Sequence, residues 1–352
     1  MFDCMDYVVQ HNHEQLVFCH DRATDLRALI GIHNTTLGPS LGGTRLWHYD
    51  RHEDAVLDVL RLSEGMTYKA AVAGLPLGGG KAVILADGKE SDPDIRAARF
   101  RAFGRFVAGL GGRYITAEDV GTKPQDMVYV REMTSFVVGL PGQSGDPSPV
   151  TAYGTLSGIQ AMVEEVLRRD NLEGVRVAIQ GLGKVGYALA EYLIDEGAEV
   201  TAADINPAAC RRAEEQLGIQ IVPIDDIYDV DCDIFSPNAL GAVINDVSIP
   251  RLKCKVIAGA ANNQLENIER HSRALEDAGI AYAVDYVINA GGLINVYSEM
   301  EGYDAQKAHA RAGDIYYTIK RMLSIANSEG VTTQVASQII AQAALEGRLL
   351  TF

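Results

Sequence analysis

The sequence predicts an α/β protein of two domains, the second built on a doubly wound parallel sheet. Three observations predict it. The chain has 352 residues, and single hydrophobic cores rarely outgrow ~250–300 residues. A segment rich in proline and glycine, residues 139–149, interrupts it. Beyond that segment, β-branched runs alternate with helical patterns, which is the rhythm of a parallel sheet.

The elements follow in order. Leu16–Cys19 and Leu29–His33 are short strand candidates. Phe103, Phe106, Val107 and Leu110 recur at the spacing of one buried helix face. Gly139-Leu-Pro-Gly-Gln-Ser-Gly-Asp-Pro-Ser-Pro149 holds three prolines and three glycines and reads as a hinge. Val175–Ile179 is a strand that runs into glycine. Val185, Leu189, Tyr192 and Leu193 then mark a helix that stops at Gly197. Glu199–Ala203 is the next strand and ends at Asp204. Cys232–Phe235, Lys255–Ala258 and Ala281–Val284 are further strands, and from about Asp304 the chain is helical again. The expected domains are residues 1–140, joined by a C-terminal helix near 331–352, and residues 148–330.

Composition narrows the function. The chain is 47% hydrophobic and 22% charged, with a formal net charge of −16. An acidic surface disfavours nucleic acid and anionic membranes, which recruit basic patches. No run approaches the ~20 apolar residues of a membrane span, and the N-terminus lacks the basic and apolar regions of a signal peptide. Five cysteines without a CxxC pair fit reduced thiols in a cytoplasm. His11 and His13 have no carboxylate or cysteine partner at ligand spacing, so they read as solvated histidines, and no metal is expected.

Two constellations carry chemistry. Gly181-Leu-Gly-Lys-Val-Gly186 follows a strand, opens a helix, and has an acid, Asp204, eighteen residues past its last glycine. Gly181 permits the tight turn, Gly183 lets backbone approach a pyrophosphate, and Gly186 lets helix and strand pack closely. The helix N-terminus offers its unpaired N–H groups to phosphate. Asp204 would bind ribose hydroxyls and repel a 2′-phosphate, favouring NAD over NADP. Lys184, inside the loop, either holds phosphate or points to solvent. The second constellation is Met66-Thr-Tyr-Lys69 followed by Leu75-Pro-Leu-Gly-Gly-Gly-Lys81, which its proline and glycines make read as a loop. Residue 75 is leucine and residue 82 alanine, which excludes a P-loop. Two lysines brought together out of water can divide the labour: one, its pKa lowered, acts as a base while the other holds a carboxylate. Glycines beside Lys81 would let substrate approach. Tyr114-Ile-Thr-Ala-Glu-Asp119 follows a strand and ends in a loop, which places a carboxylate to pass protons.

These blocks, with Ala258-Gly-Ala-Ala-Asn262-Asn and Asp285-Tyr-Val-Ile-Asn289-Ala-Gly-Gly, occur in one order from about residue 30 to residue 300. The sequence resembles the Glu/Leu/Phe/Val amino-acid dehydrogenases. It is most similar to the leucine dehydrogenases, with tryptophan and phenylalanine dehydrogenases near by. The resemblance implies an α/β substrate and oligomerisation domain beside a Rossmann domain, with the active site in the cleft between. It also implies a homo-oligomer, anywhere from dimer to octamer. By the same resemblance Lys69 binds the substrate carboxylate, and Lys81 activates the water that attacks an iminium. Asp119 exchanges protons with the amino group, and Asn289 lies near the substrate. Thr151 and Asn262 orient the nicotinamide carboxamide. Leu182, Lys184, Val185, Ile205 and Ala260 complete the dinucleotide contacts.

The residues matching the family's side-chain pocket, Leu41, Gly42, Met66, Ala117, Leu293 and Val296, are all apolar here. Glutamate would bury an unpaired carboxylate among them, which is costly. The expected reaction is therefore reversible, NAD-dependent oxidative deamination of an apolar L-amino acid, with leucine, valine and isoleucine preferred. Gly291-Gly-Leu-Ile-Asn-Val-Tyr297 reads more like the tryptophan type, so phenylalanine or tryptophan is the alternative. A non-catalytic nucleotide-binding regulator is the alternative of a different class; the joint presence of Lys69, Lys81 and Asp119 speaks against it.

Overall fold

The computed structural model describes residues 3–142, 145–239 and 241–348. Gln143 and Ser144 of the expected hinge lie outside the described residues. The chain divides into two compact units. Unit 1 comprises residues 1–145, 296–303 and 344–348, and unit 2 comprises 146–295, 304–343 and 349–352.

Unit 1 opens with a short helix, α1 (Cys4–Gln10), and holds β1 (Gln15–Asp21), β2 (Leu26–Asn34), β3 (Ser40–Trp47), β4 (Gly78–Leu85) and β5 (Tyr114–Glu118) in the order β1-β2-β4-β3-β5. β1–β2 and β2–β4 are antiparallel, whereas β3 runs parallel to both β4 and β5. Side chains of a strand alternate between faces, and here the alternation sorts the core. Ile30, Ile32, Ala82, Ile84 and Tyr114 pack with Phe100, Phe103 and Val107 of α3 (Pro93–Gly109) and Met127 and Val130 of α4 (Pro124–Arg131). Leu29 and Val83 turn the other way, onto Ala55, Val56, Val59 and Leu60 of α2 (His52–Val72). Lys81 has the parity of Val83, so it faces α2.

Here the structure corrects the sequence reading. The glycine-rich stretch ending in Lys81 is a buried central strand, not a loop. A Cβ on Gly79 would lie 2.1 Å from the Thr67 backbone nitrogen of α2, and one on Gly80 would meet the Tyr114 ring at 2.7 Å. The glycines make room for the protein itself, letting α2 settle directly on β4. His13 is also not solvated. It is buried, donates from Nε2 to the Leu60 carbonyl at 2.9 Å, and stacks edge-on against His33. Among the described residues no group of three or more potential ligands could hold a metal.

Unit 2 is a six-stranded parallel sheet. Its strands are β6 (Arg176–Gln180), β7 (Glu199–Ala203), β8 (Gln220–Ile221), β9 (Ile234–Pro237), β10 (Val256–Ile257) and β11 (Ala281–Tyr282). The order β11-β10-β9-β6-β7-β8 reverses between β6 and β9, the switch point at which doubly wound sheets bind ligands. α5 (Ser148–Met162) and α6 (Lys184–Asp195) are among its helices. The C-terminal helix Thr333–Leu345 falls mostly in unit 2, with only 344–348 in unit 1. A hydrogen bond of 2.6 Å between the Tyr286 and Ser337 hydroxyls ties it there. Among the described residues no helix is long and apolar enough to cross a membrane.

Candidate active site

In unit 1 strands β3, β4 and β5 bring residues from three sequence blocks onto one face. Lys81 of β4 is 7% exposed, and its Nζ lies 2.6 Å from Asp119 Oδ2, one residue beyond β5. Asp119 is pinned: its N–H donates to Thr122 Oγ1 at 2.8 Å, and that hydroxyl returns a bond to the Asp119 carbonyl. Burial works against a charge on Asp119, but Lys81 first and Arg45 after it outweigh burial. Together they hold the carboxyl below its ordinary value. Leu41 and Ala117, buried on β3 and β5, share the parity that puts Lys81 toward α2. Gly42 is one pleat off that face, its carbonyl accepting from Tyr114 OH at 2.7 Å. Met66 and Lys69 are three apart on α2, half-buried, on one side of the helix. Val296 is half-buried in the helix Gly291–Met300.

In unit 2 the glycine turn forms as its spacing predicts. Gly181 has φ +100°, a left-handed conformation that glycine adopts freely. A Cβ on Gly186 would sit 2.0 Å from the Gly181 carbonyl, so no larger residue fits the turn as built. Gly183 caps α6 with open space over its Cα, and neither it nor Lys184 is buried. Leu182 is buried and Val185 half-buried. Asp204 Oδ2 accepts from the Leu182 N–H at 2.6 Å, which draws the carboxylate to the turn, and Ile205 beside it is 81% exposed. Lys184 Nζ pairs with Asp146 at 2.8 Å.

A second group gathers in the same unit. Asn289 donates from Nδ2 to Asn262 Oδ1 at 2.8 Å and to the Ala260 carbonyl at 3.1 Å, while its own Oδ1 is buried without a partner. A Cβ on Gly292 would touch Thr151 Oγ1, which places Thr151 against the segment that follows Asn289. Leu293 is buried one residue further on. Open space over Gly183, the N-terminus of α6, the Asp204 carboxylate at the turn and an unfilled acceptor on Asn289 fit a dinucleotide lying across the switch point.

Comparison with known proteins decides the family. Residues 13–136 match the Glu/Leu/Phe/Val dehydrogenase dimerisation domain, and residues 142–345 match the glutamate/leucine/phenylalanine/valine dehydrogenase domain. The chain belongs to this family of amino-acid dehydrogenases. The enzyme is 50% identical to leucine dehydrogenase of Bacillus cereus, over 97% of this chain and 93% of that one. It is 47% identical to L-tryptophan dehydrogenase of Nostoc punctiforme, over 95% and 94%. The crystal structure of the Nostoc punctiforme protein superposes with a TM-score of 0.88 over 97% of this chain and 98% of that one, at 44% identity. Dehydrogenases of this family work with NAD or NADP.

Sequence reasoning missed several neighbours of the site. Arg45 and Asp58 pair at 2.8 Å beside Asp119, and a thirteen-residue separation between a strand and a helix leaves no motif to read. Asn238, at the end of β9, accepts from Ala260 N–H at 2.9 Å and lies against the Gly181 turn. A polar residue closing an apolar strand at the switch point was the available signal.

Proposed function

We propose that the enzyme is an NAD-dependent L-amino-acid dehydrogenase that oxidatively deaminates leucine, valine and isoleucine to their 2-oxo acids, releasing ammonium. The observation that carries this reading is the Lys81–Asp119 pair, its lysine buried on the sheet face turned to α2, the helix that carries Lys69. Bound dinucleotide supplies the hydride acceptor.

The chain's own residues supply the rest. The Lys69 ammonium holds the substrate carboxylate. Lys81 accepts a proton from the water that attacks the substrate iminium carbon. Asp119, sharing a proton-bearing contact with Lys81, passes protons to the departing amino group. Each residue that the family resemblance assigns to the side-chain pocket, Leu41, Gly42, Met66, Ala117, Leu293 and Val296, is apolar, which disfavours glutamate. Asp204, drawn to the glycine turn, favours a free 2′-hydroxyl and so NAD. Gly181, Leu182, Gly183, Val185 and Gly186 form the pyrophosphate turn, Ile205 flanks the adenosine, and Ala260, Asn262 and Thr151 orient the nicotinamide. Asn289, bonded to Asn262, contacts the substrate. Pairing with Asp146 supports a phosphate-neighbouring role for Lys184 that is secondary to the backbone. The match to a dimerisation domain supports a working homo-oligomer, from dimer to octamer.

The ranking of side chains is tested by kcat/KM for leucine, valine and isoleucine against phenylalanine and tryptophan. One methylene in an apolar pocket is worth only ~1–3 kcal/mol, so leucine should lead phenylalanine by tenfold or more. An aromatic substrate in front would reassign the pocket while leaving the reaction intact.

A further inference from the structure

Lys81 and Asp119 do not stand alone. Arg45, on β3, places Nε 3.4 Å from Asp119 Oδ2, the same oxygen that Lys81 approaches. Its Nη1 meets Asp58 Oδ2 of α2 at 2.8 Å, and the Tyr49 hydroxyl donates to that oxygen at 2.5 Å. The result is a chain of alternating charge, Lys81, Asp119, Arg45, Asp58, closed by a phenol. Its outer end lines a depression of about 290 Å³ shared with Asp54 and Arg61.

We propose that Arg45 is a positioning residue of the deamination: a permanent cation that keeps Asp119 ionised and in place while Lys81 gives up and regains its proton. The inference rests on the function proposed above. A base must pass through its neutral form, and at that moment Asp119 loses its nearest counter-ion. A buried carboxylate left without a cation takes up a proton instead. A guanidinium does not titrate in proteins, so of the two cations paired with Asp119, Lys81 and Arg45, it is Arg45 that holds its charge through the whole cycle. Asp58, fixed by Tyr49, balances Arg45, so the network carries no surplus charge into the site. The charged and titratable groups facing this centre are Lys81 from β4, Asp58 from α2, Tyr49 after β3, and Asp54 and Arg61 at the rim, while Tyr114 of β5 lies on the opposite face of the sheet.

The test is the pH profile of kcat/KM for leucine oxidation in Arg45→Gln, Arg45→Lys and Asp58→Asn. Losing the cation makes both Asp119 and Lys81 hold protons more tightly. Arg45→Gln should therefore move the acid limb up by about one pH unit and lower neutral-pH activity by ten- to a hundred-fold, with less loss in alkali. Arg45→Lys should restore the limb. Asp58→Asn leaves Arg45 uncompensated and should move the limb the other way, a sign change that no packing defect produces. An equal loss at every pH in Arg45→Gln, or shifts of one sign in all three, overturns the proposal. Urea unfolding of Arg45→Gln, Asp119→Asn and the double variant, each also with Lys81→Met, reads the Arg45–Asp119 coupling without turnover. That coupling should grow when Lys81 is replaced, and no growth also refutes the inference. A wild-type enzyme inactive on every apolar amino acid, with the coupling intact, would sink the proposed function and leave Arg45's hold on Asp119 standing.

Discussion

Replacing Lys81 by methionine separates chemistry from folding. Methionine keeps the length of the side chain and removes only the ammonium. The variant should lose turnover by ~10²–10⁴-fold, the contribution of a positioned general base, or about 3–5 kcal/mol of barrier at ~1.4 kcal/mol per tenfold. Stability should also fall, because the partner carboxylate stays buried. Removing one member of a buried pair costs ~3–5 kcal/mol. Arg45 at 3.4 Å still faces Asp119, whose side chain keeps 23% exposure. The loss is therefore expected below that range, at about 2 kcal/mol.

The pH dependence follows from the direction of the Asp119 shift. Its folded pKa is depressed, so its contribution is fully present above about pH 4 and drains away as pH falls through the folded value. Without Lys81 only Arg45 is left to oppose burial, so the carboxyl rises and the deficit against wild type should narrow on acidification. Urea unfolding at neutral and acid pH, beside steady-state kinetics and NADH binding, measures all three effects. Turnover within tenfold of wild type, or loss of NADH binding with the fold intact, would refute the reasoning.

Other outcomes follow from single contacts. Asp204→Ala should reduce the preference for NAD over NADP at least tenfold in kcat/KM; an unchanged ratio removes Asp204 from the ribose site. Gly186→Val places carbon against the Gly181 carbonyl and should weaken NADH binding, read by fluorescence titration, while unit 1 residues still form their core. Burial lowers His33 to about 4, with His13 pressing the same way. The unfolded chain therefore binds the extra proton between about pH 6.5 and pH 4, and stability falls across that window by on the order of 2–3 kcal/mol. Thermal unfolding of His33→Gln should show a flatter pH profile there, and an unchanged slope would place the titration elsewhere.

Unit 2 was largely legible because its signals are local. Glu199–Ala203 is a strand to the residue, and Gly181, Gly183 and Gly186 each occupy the place their spacing predicts. Unit 1 was harder, because tertiary contacts override local signals there. Three glycines after Pro76 read as a loop, yet β4 needs them so that α2 can lie against it at Gly79. Tyr114–Glu118, placed after a strand, is itself the strand, and its pairing with β3 brings Asp119 to Lys81 across a gap of thirty-eight positions. His13 lacks any apolar pattern that would announce its burial; a carbonyl on α2 accepts its proton. Arg45 and Asp58 meet only because β3 lies under α2. Chemistry written as a motif was visible, and chemistry assembled by strand pairing was not.

The most direct test of the central claim is reduction of NAD on addition of L-leucine, followed by the absorbance of the reduced nicotinamide, with ammonium assayed alongside. The account predicts equal amounts of reduced cofactor and ammonium from wild type and neither from Lys81→Met. A folded wild-type enzyme that binds NADH but releases no ammonium from any apolar L-amino acid would contradict it.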